Sequence, residues 1–191
     1  MNRPPVDQAP PAEGSVARGR LKLVLIGALF ALPVLTGWIA YLTGWVPGTT
    51  SNYGTLIAPQ PIAAAAVAAL RGKWVLVQLD GGACGAQCER KLYYMRQVRR
   101  AQGKELNRVE RLWLLTDEIE PKGELLAAIE GTRIARASAG DAAAFPAEGA
   151  PSDHIYLIDP LGNLMLRFPR DPDPAKMVQD LERLLKYSGF G

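Results

Sequence analysis

The chain has 191 residues, of which 22 are basic and 19 acidic, for a formal charge of +3. That length accommodates one ordinary domain plus extra segments. Arg3, Arg18, Arg20 and Lys22 against Asp7 and Glu13 put about +2 of the charge in the first 22 residues, leaving 18 basic against 17 acidic residues. So balanced a remainder gives no electrostatic footprint for nucleic acid.

Residues 1–22, with Pro4, Pro5, Pro10 and Pro11, read as a short disordered tail. No charged residue occurs from Leu23 to Leu70. Within that stretch, residues 23–46 are long and apolar enough to cross a hydrocarbon core as a single transmembrane helix. Trp38, Tyr41 and Trp45 cluster toward its far end, where amphipathic rings favour the interface, and Pro33 is expected to kink it. Arg18, Arg20 and Lys22 precede it, and the next basic residue is Arg71. The positive-inside rule then leaves the N-terminus in the cytoplasm and exports residues 47–191. A bacterial inner-membrane protein with a periplasmic C-terminal domain is the simplest placement.

Residues 47–71 read as a linker, with turn formers at Pro47, Gly48, Pro59 and Pro61 and an alanine-rich short helix over 62–70. A domain over 72–191 comes next. Trp74–Leu79 is apolar on both faces, as a central strand is. Asp80-Gly81-Gly82 breaks it. From Cys84 a helical pattern puts Cys88, Leu92, Met95 and Val98 on one face, ending near Gly103. The basic residues of that helix read as a solvated face. Leu112–Leu115 is a second buried strand, followed by a helix over 123–129, a short strand over 132–135 and an irregular stretch to Ala150. Ile155–Ile158, the turn Asp159–Asn163 and Leu164–Phe168 form a hairpin. Asp173 caps a last helix with Pro174 at its first position. The order βαβα, hairpin, α, with a dicysteine after the first strand, predicts an α/β thioredoxin-like domain: a central mixed sheet flanked by helices.

The chemistry concentrates in three residues. Cys84 and Cys88 are the only cysteines and His154 the only histidine. In an oxidising compartment two thiols at this spacing form a disulfide or are kept reduced for a task. A staple across so short a loop removes little chain entropy. Lying at the start of a helix, both thiols gain thiolate character from its N-terminus. Thiolates and imidazole together suit Cu(I), and Zn(II) is compatible with the same set. Thiol–disulfide exchange by Cys84 and Cys88 and a non-catalytic adaptor role are the rival readings. Asp153, beside His154, is a candidate partner for the imidazole.

Gly72-Lys73-Trp74-Val75-Leu76-Val77 leading into C-x-x-x-C, together with Asp153-His154-Ile155-Tyr156-Leu157-Ile158-Asp159-Pro160-Leu161-Gly162, resembles the SCO (SenC) copper-chaperone family. Gly85 and Glu89 follow the cysteines where that family usually carries proline, so the chain reads as a divergent member. The resemblance implies a thioredoxin-like, membrane-anchored protein that binds Cu(I) through Cys84, Cys88 and His154. It also implies a role in cytochrome c oxidase assembly, with an oxidase subunit or another assembly factor as partner. Delivery of the metal and reduction of the acceptor's cysteines are both compatible with it. No organic cofactor and no small-molecule substrate are expected, and an enzymatic role is confined to thiol–disulfide exchange.

Overall fold

A computed structural model describes residues 13–43 and 52–189. They belong to two units, divided after Thr50.

In the first unit, helix α1 (Glu13–Thr43) runs through Pro33 without a break. Its segment Arg18–Thr43, 26 residues, is long and apolar enough to cross a membrane, and at 1.5 Å per residue it measures about 39 Å. Its large apolar side chains, among them Leu25, Leu29, Phe30 and Trp38, are all exposed. An exposed apolar surface on every side calls for a lipid surrounding rather than water. Thr36 and Thr43 turn their hydroxyls onto helix carbonyls, donating to Pro33 O at 3.1 Å and Ile39 O at 2.8 Å. The helix starts ten residues before the expected Leu23 and so includes Arg18, Arg20 and Lys22, which are good helix formers. The tail over 1–12 and the expected end at Val46 lie outside the described residues.

The second unit is built on one six-stranded sheet ordered β1-β6-β5-β2-β3-β4. Its strands are β1 (Thr55–Pro61), β2 (Trp74–Asp80), β3 (Val109–Leu115), β4 (Arg133–Arg136), β5 (Ile155–Ile158) and β6 (Asn163–Arg167). Strands β2, β3 and β4 are parallel, while β5, β6 and β1 add antiparallel on the other side. The expected mixed thioredoxin-like sheet is present, with the fully apolar β2 at its centre.

Pleating sends alternate residues to two separate cores. On one face Leu76, Trp113, Ile155, Leu157 and Leu166 meet helices α3 (Ala86–Ala101) and α6 (Pro174–Tyr187), through Leu92, Met95 and Val98 and through Met177, Leu181 and Leu185. On the other face Val75, Val77, Tyr156 and Ile158 meet Ile62, Val67, Leu70 and Phe145. The second cover comes from short helix α2 (Ala65–Ala68) and the segment around α5 (Ala139–Ala143). Helix α4 (Gly123–Ala128) links β3 to β4.

Two segments differ from expectation. Residues 55–61, read as linker, form edge strand β1. Its prolines are compatible with an edge, where one row of N–H groups is not needed, and its pairing with β6 shifts register between Leu56 and Gln60. The strand is anchored at its start by Asp180, whose buried carboxylate accepts from Tyr53 N at 3.0 Å and Gly54 N at 2.8 Å. The stretch read as irregular to Ala150 contains α5, opened by a reciprocal cap between Ser138 and Asp141. The S-x-x-D spacing is the local signal for it.

Candidate functional site

Strand β2 delivers the chain into Asp80-Gly81-Gly82-Ala83, and the two cysteines come directly after. Cys84 N donates to Gly81 O at 3.1 Å, closing a tight turn. Cys84 itself has φ +36°, an uncommon conformation for a residue with a Cβ. Gly85 is the N-cap of α3, which places Cys88 in the helix's first turn. Cys84 and Cys88 are joined by a disulfide, with Cα atoms 5.2 Å apart. Both are nearly buried, at 5% and 3% exposure, while Ala83, Gly85, Ala86 and Gln87 around them are exposed. When the bond is reduced, the N-terminal end of α3 stabilises negative charge on either sulfur.

The turn is held by a residue that no sequence pattern singles out. Asp117, in the loop after β3, accepts from Gly82 N at 2.8 Å and from Ile119 N at 3.1 Å through the same oxygen. That clamp brings the 117–120 backbone so close that Gly82 has no room for a side chain.

A second unanticipated group is a lysine buried on α3. Lys91 is one turn beyond Cys88 on the same buried face of α3, and its ammonium donates to Ser152 O at 2.6 Å. Gln78 Nε2 donates to the same carbonyl at 3.1 Å and to Leu79 O at 3.2 Å. Burial pushes the Lys91 ammonium below its ordinary pKa, against the attraction of Asp153 and Asp80. Burial likewise raises the Asp80 carboxyl, partly offset by its bond from Gly81 N and by Lys91. The helix pattern marks Lys91 as solvated. Its burial is legible only once the 3₁₀ turn Pro151–Asp153 brings Ser152 O to it.

His154 is buried but stands apart from the cysteines. Register pairs Gln78 with Ile155, so His154 does arrive at the end of the sheet from which the Cys84 loop departs. Alternation then separates them. Ile155 and Leu157 share the core with Cys84 and Cys88, whereas Tyr156 and Ile158 face the other way. The His154 ring goes with Tyr156, at 6.2 Å between centroids. Its Nδ1 donates to Phe168 O at 2.8 Å, and Nε2 sits 3.3 Å from Glu148 O. Asp153, the last residue of the 3₁₀ turn, pairs instead with Arg170 at 3.3 Å.

As arranged, the three residues do not fit a copper ion. Disulfide sulfurs are not thiolate donors, and both imidazole nitrogens face backbone carbonyls. Among the described residues no group of three or more His, Cys, Asp or Glu is placed to hold a metal. The expected Cys84–Cys88–His154 set is therefore present as a joined pair and a separate histidine.

Residues 74–188 match the family model described as transmembrane-like, thioredoxin-like, C-terminal domain. No curated protein matches the chain. Among solved structures, yeast Sco1 with copper bound is similar at 15% identity and a TM-score of 0.55, covering 74% of this chain and 96% of that one. Apo Sco1 from Thermus thermophilus is similar at 16% identity and a TM-score of 0.50, covering 73% and 98%. At these identities the likeness is one of fold.

Proposed function

Since the chain belongs to the transmembrane-like, thioredoxin-like C-terminal domain family, we propose that it is a membrane-anchored thiol–disulfide exchange protein acting in cytochrome c oxidase assembly. The observation that carries this reading is the Cys84–Cys88 pair, closed at the head of α3. In the reduced form a thiolate of the pair attacks a partner's disulfide, and a partner thiolate leaves. The second cysteine then resolves the mixed disulfide. Two electrons pass to the partner, whose cysteines end as thiols, and Cys84–Cys88 ends as the disulfide. A dithiol protein in the same compartment returns the two electrons. The proposed targets are the cysteines of a copper site on an oxidase subunit or on another assembly factor. That choice rests on the resemblance of the Gly72–Cys88 and Asp153–Gly162 stretches and on the shared Sco1 fold. The basic cluster Arg18, Arg20 and Lys22 supports a cytoplasmic N-terminus and a periplasmic domain in a bacterial inner membrane.

A second reading has Cu(I) as cargo, held by reduced Cys84 and Cys88 with His154. The copper bound to yeast Sco1 favours it. On this chain it requires reduction of the disulfide and release of His154 from Phe168 O.

One set of measurements on the full chain in detergent tests both. A redox titration against glutathione is expected to give a two-electron couple above about −300 mV. A lower potential would mark the pair as a structural staple and refute the exchange reading. Titration of the reduced chain with Cu(I) against a competing chelator, repeated with His154→Ala, decides the second reading. Stoichiometric binding weakened by the substitution upholds it; absence of binding removes it.

A further inference from the structure

A second site lies at the opposite end of the sheet, where β3 begins. Arg96, Arg99 and Arg100 come from the last turns of α3, and Arg111 from β3, and together with Leu106, Glu130 and Gly131 they line a cavity of about 300 Å³. Arg111 is 3% exposed. One of its nitrogens, Nη2, donates to Glu130 O at 2.6 Å. Its Nε and Nη1 are buried and have no partner among the described residues. An uncompensated guanidinium in a protein interior is costly, and such groups are ordinarily paired. Arg96, Arg99 and Arg100 aggravate the cost, and Glu110 relieves only part of it.

Arg96 and Arg99 are held in place by backbone carbonyls rather than carboxylates. Arg96 Nη1 donates to Ala128 O at 2.9 Å, and Arg99 Nε donates to Val109 O. Each tether fixes one nitrogen and leaves the remaining N–H groups of a planar fork. Gly131, at φ +77°, forms part of the wall, and a Cβ there would come within 3.2 Å of Arg111 Nη2. The lining carries four guanidiniums and one carboxylate; Glu110, beside Arg111 in the chain, supplies one more negative charge to its surroundings. The balance is close to +2, which a dianion neutralises. Burial first, then Arg99 and Arg96, pull Arg111 down to about 10.

We propose that this cavity is a binding site for a phosphate monoester dianion, with Arg111 as its buried floor and Arg96, Arg99 and Arg100 as its rim. Tetrahedral oxygens bearing two charges match converging guanidinium forks, and phosphate accepts from several at once. The cavity has room for a small organic group beyond the phosphate. The same chemistry is offered by a soluble phosphomonoester and by a phosphatidic acid headgroup.

The test uses the full chain in neutral detergent, titrated with inorganic phosphate by calorimetry and by thermal unfolding, with chloride at matched ionic strength as the control. Saturable binding and a phosphate-dependent rise in Tm are expected. Arg111→Gln and Arg100→Gln are each expected to weaken binding by roughly tenfold or more. Arg100 is exposed, so its variant remains informative if Arg111→Gln folds poorly. Arg111→Gln should also raise Tm in phosphate-free buffer while diminishing the phosphate response, a crossing that a purely structural arginine would not produce. In discs of phosphatidylcholine with added phosphatidic acid, loss of the response to free phosphate would identify the headgroup as occupant. Its persistence would identify a soluble ester, and either result upholds the site. Absence of saturable binding below about 1 mM phosphate, or binding undiminished in both variants, overturns it.

Discussion

Gly82→Ala isolates the contact that positions the cysteines. Gly82 has no special backbone angle, so the restriction is one of space alone. A Cβ there would lie 1.8 Å from Ile119 O and 2.6 Å from its carbonyl carbon. These are backbone atoms, and no side chain can rotate away. Restoring ordinary contact needs a movement of more than about 1 Å between the two loops. That movement breaks the Gly82 N donation to Asp117, at 2.8 Å, which also orders Ile119. The lost hydrogen bond is worth about 1 kcal/mol and the displaced packing about 1–3 kcal/mol. The expected destabilisation is about 3 kcal/mol, or roughly 10 °C in Tm. Gly85→Ala is the matched control: nothing lies within 4 Å of its Cβ and its φ is −74°, so it should cost within about 1 kcal/mol. Urea unfolding followed by the fluorescence of buried Trp74 and Trp113 reads both variants. If Gly82→Ala is no less stable than Gly85→Ala, the loop is not clamped as described.

Asp180→Asn removes one of the two acceptors that tie β1 to α6. It should cost about 1–3 kcal/mol, with faster hydrogen exchange at Tyr53 and Gly54; unchanged exchange there would refute the anchor. Asp80 carries a pH signature. Its folded pKa is raised, so the folded state keeps a proton that the unfolded chain has lost, and stability falls as pH rises from 3.8 through the folded value. Asp80→Asn should therefore be the more stable protein at neutral pH and match the parent below pH 3.8. A gap in urea midpoints that does not open with rising pH would contradict this.

What the sequence discloses depends on how far each signal reaches along the chain. The β2 strand, the α3 face and the Asp173-capped α6 are legible because hydrophobic period and capping are local. Strand β1 is not, because Pro59 and Pro61 argue against a strand until its edge position is known. Lys91 looks solvated because its cover comes from Ser152, far away in sequence. The separation of the His154 ring from the cysteines is one of parity. The chain order correctly brings it to the right end of the sheet, but a single residue of alternation decides which side its ring occupies. Arg111 falls just outside the expected strand Leu112–Leu115, and only the fold places it within β3 with Arg96, Arg99 and Arg100 around it.

The two outer strands of the sheet bear on how the domain behaves among many copies of itself. Beta-sheet borders invite further strands to add on, which leads to fibres or unintended dimers. Here one border carries Pro59 and Pro61 and a slipped register, and the other is a four-residue strand ending in Arg136, which is paired with Glu118 and Glu120. Confined to two dimensions by an anchor, neighbouring domains would meet often. Borders of this kind keep those meetings from becoming assembly, so that contacts with a partner protein have to be made through side chains and loops.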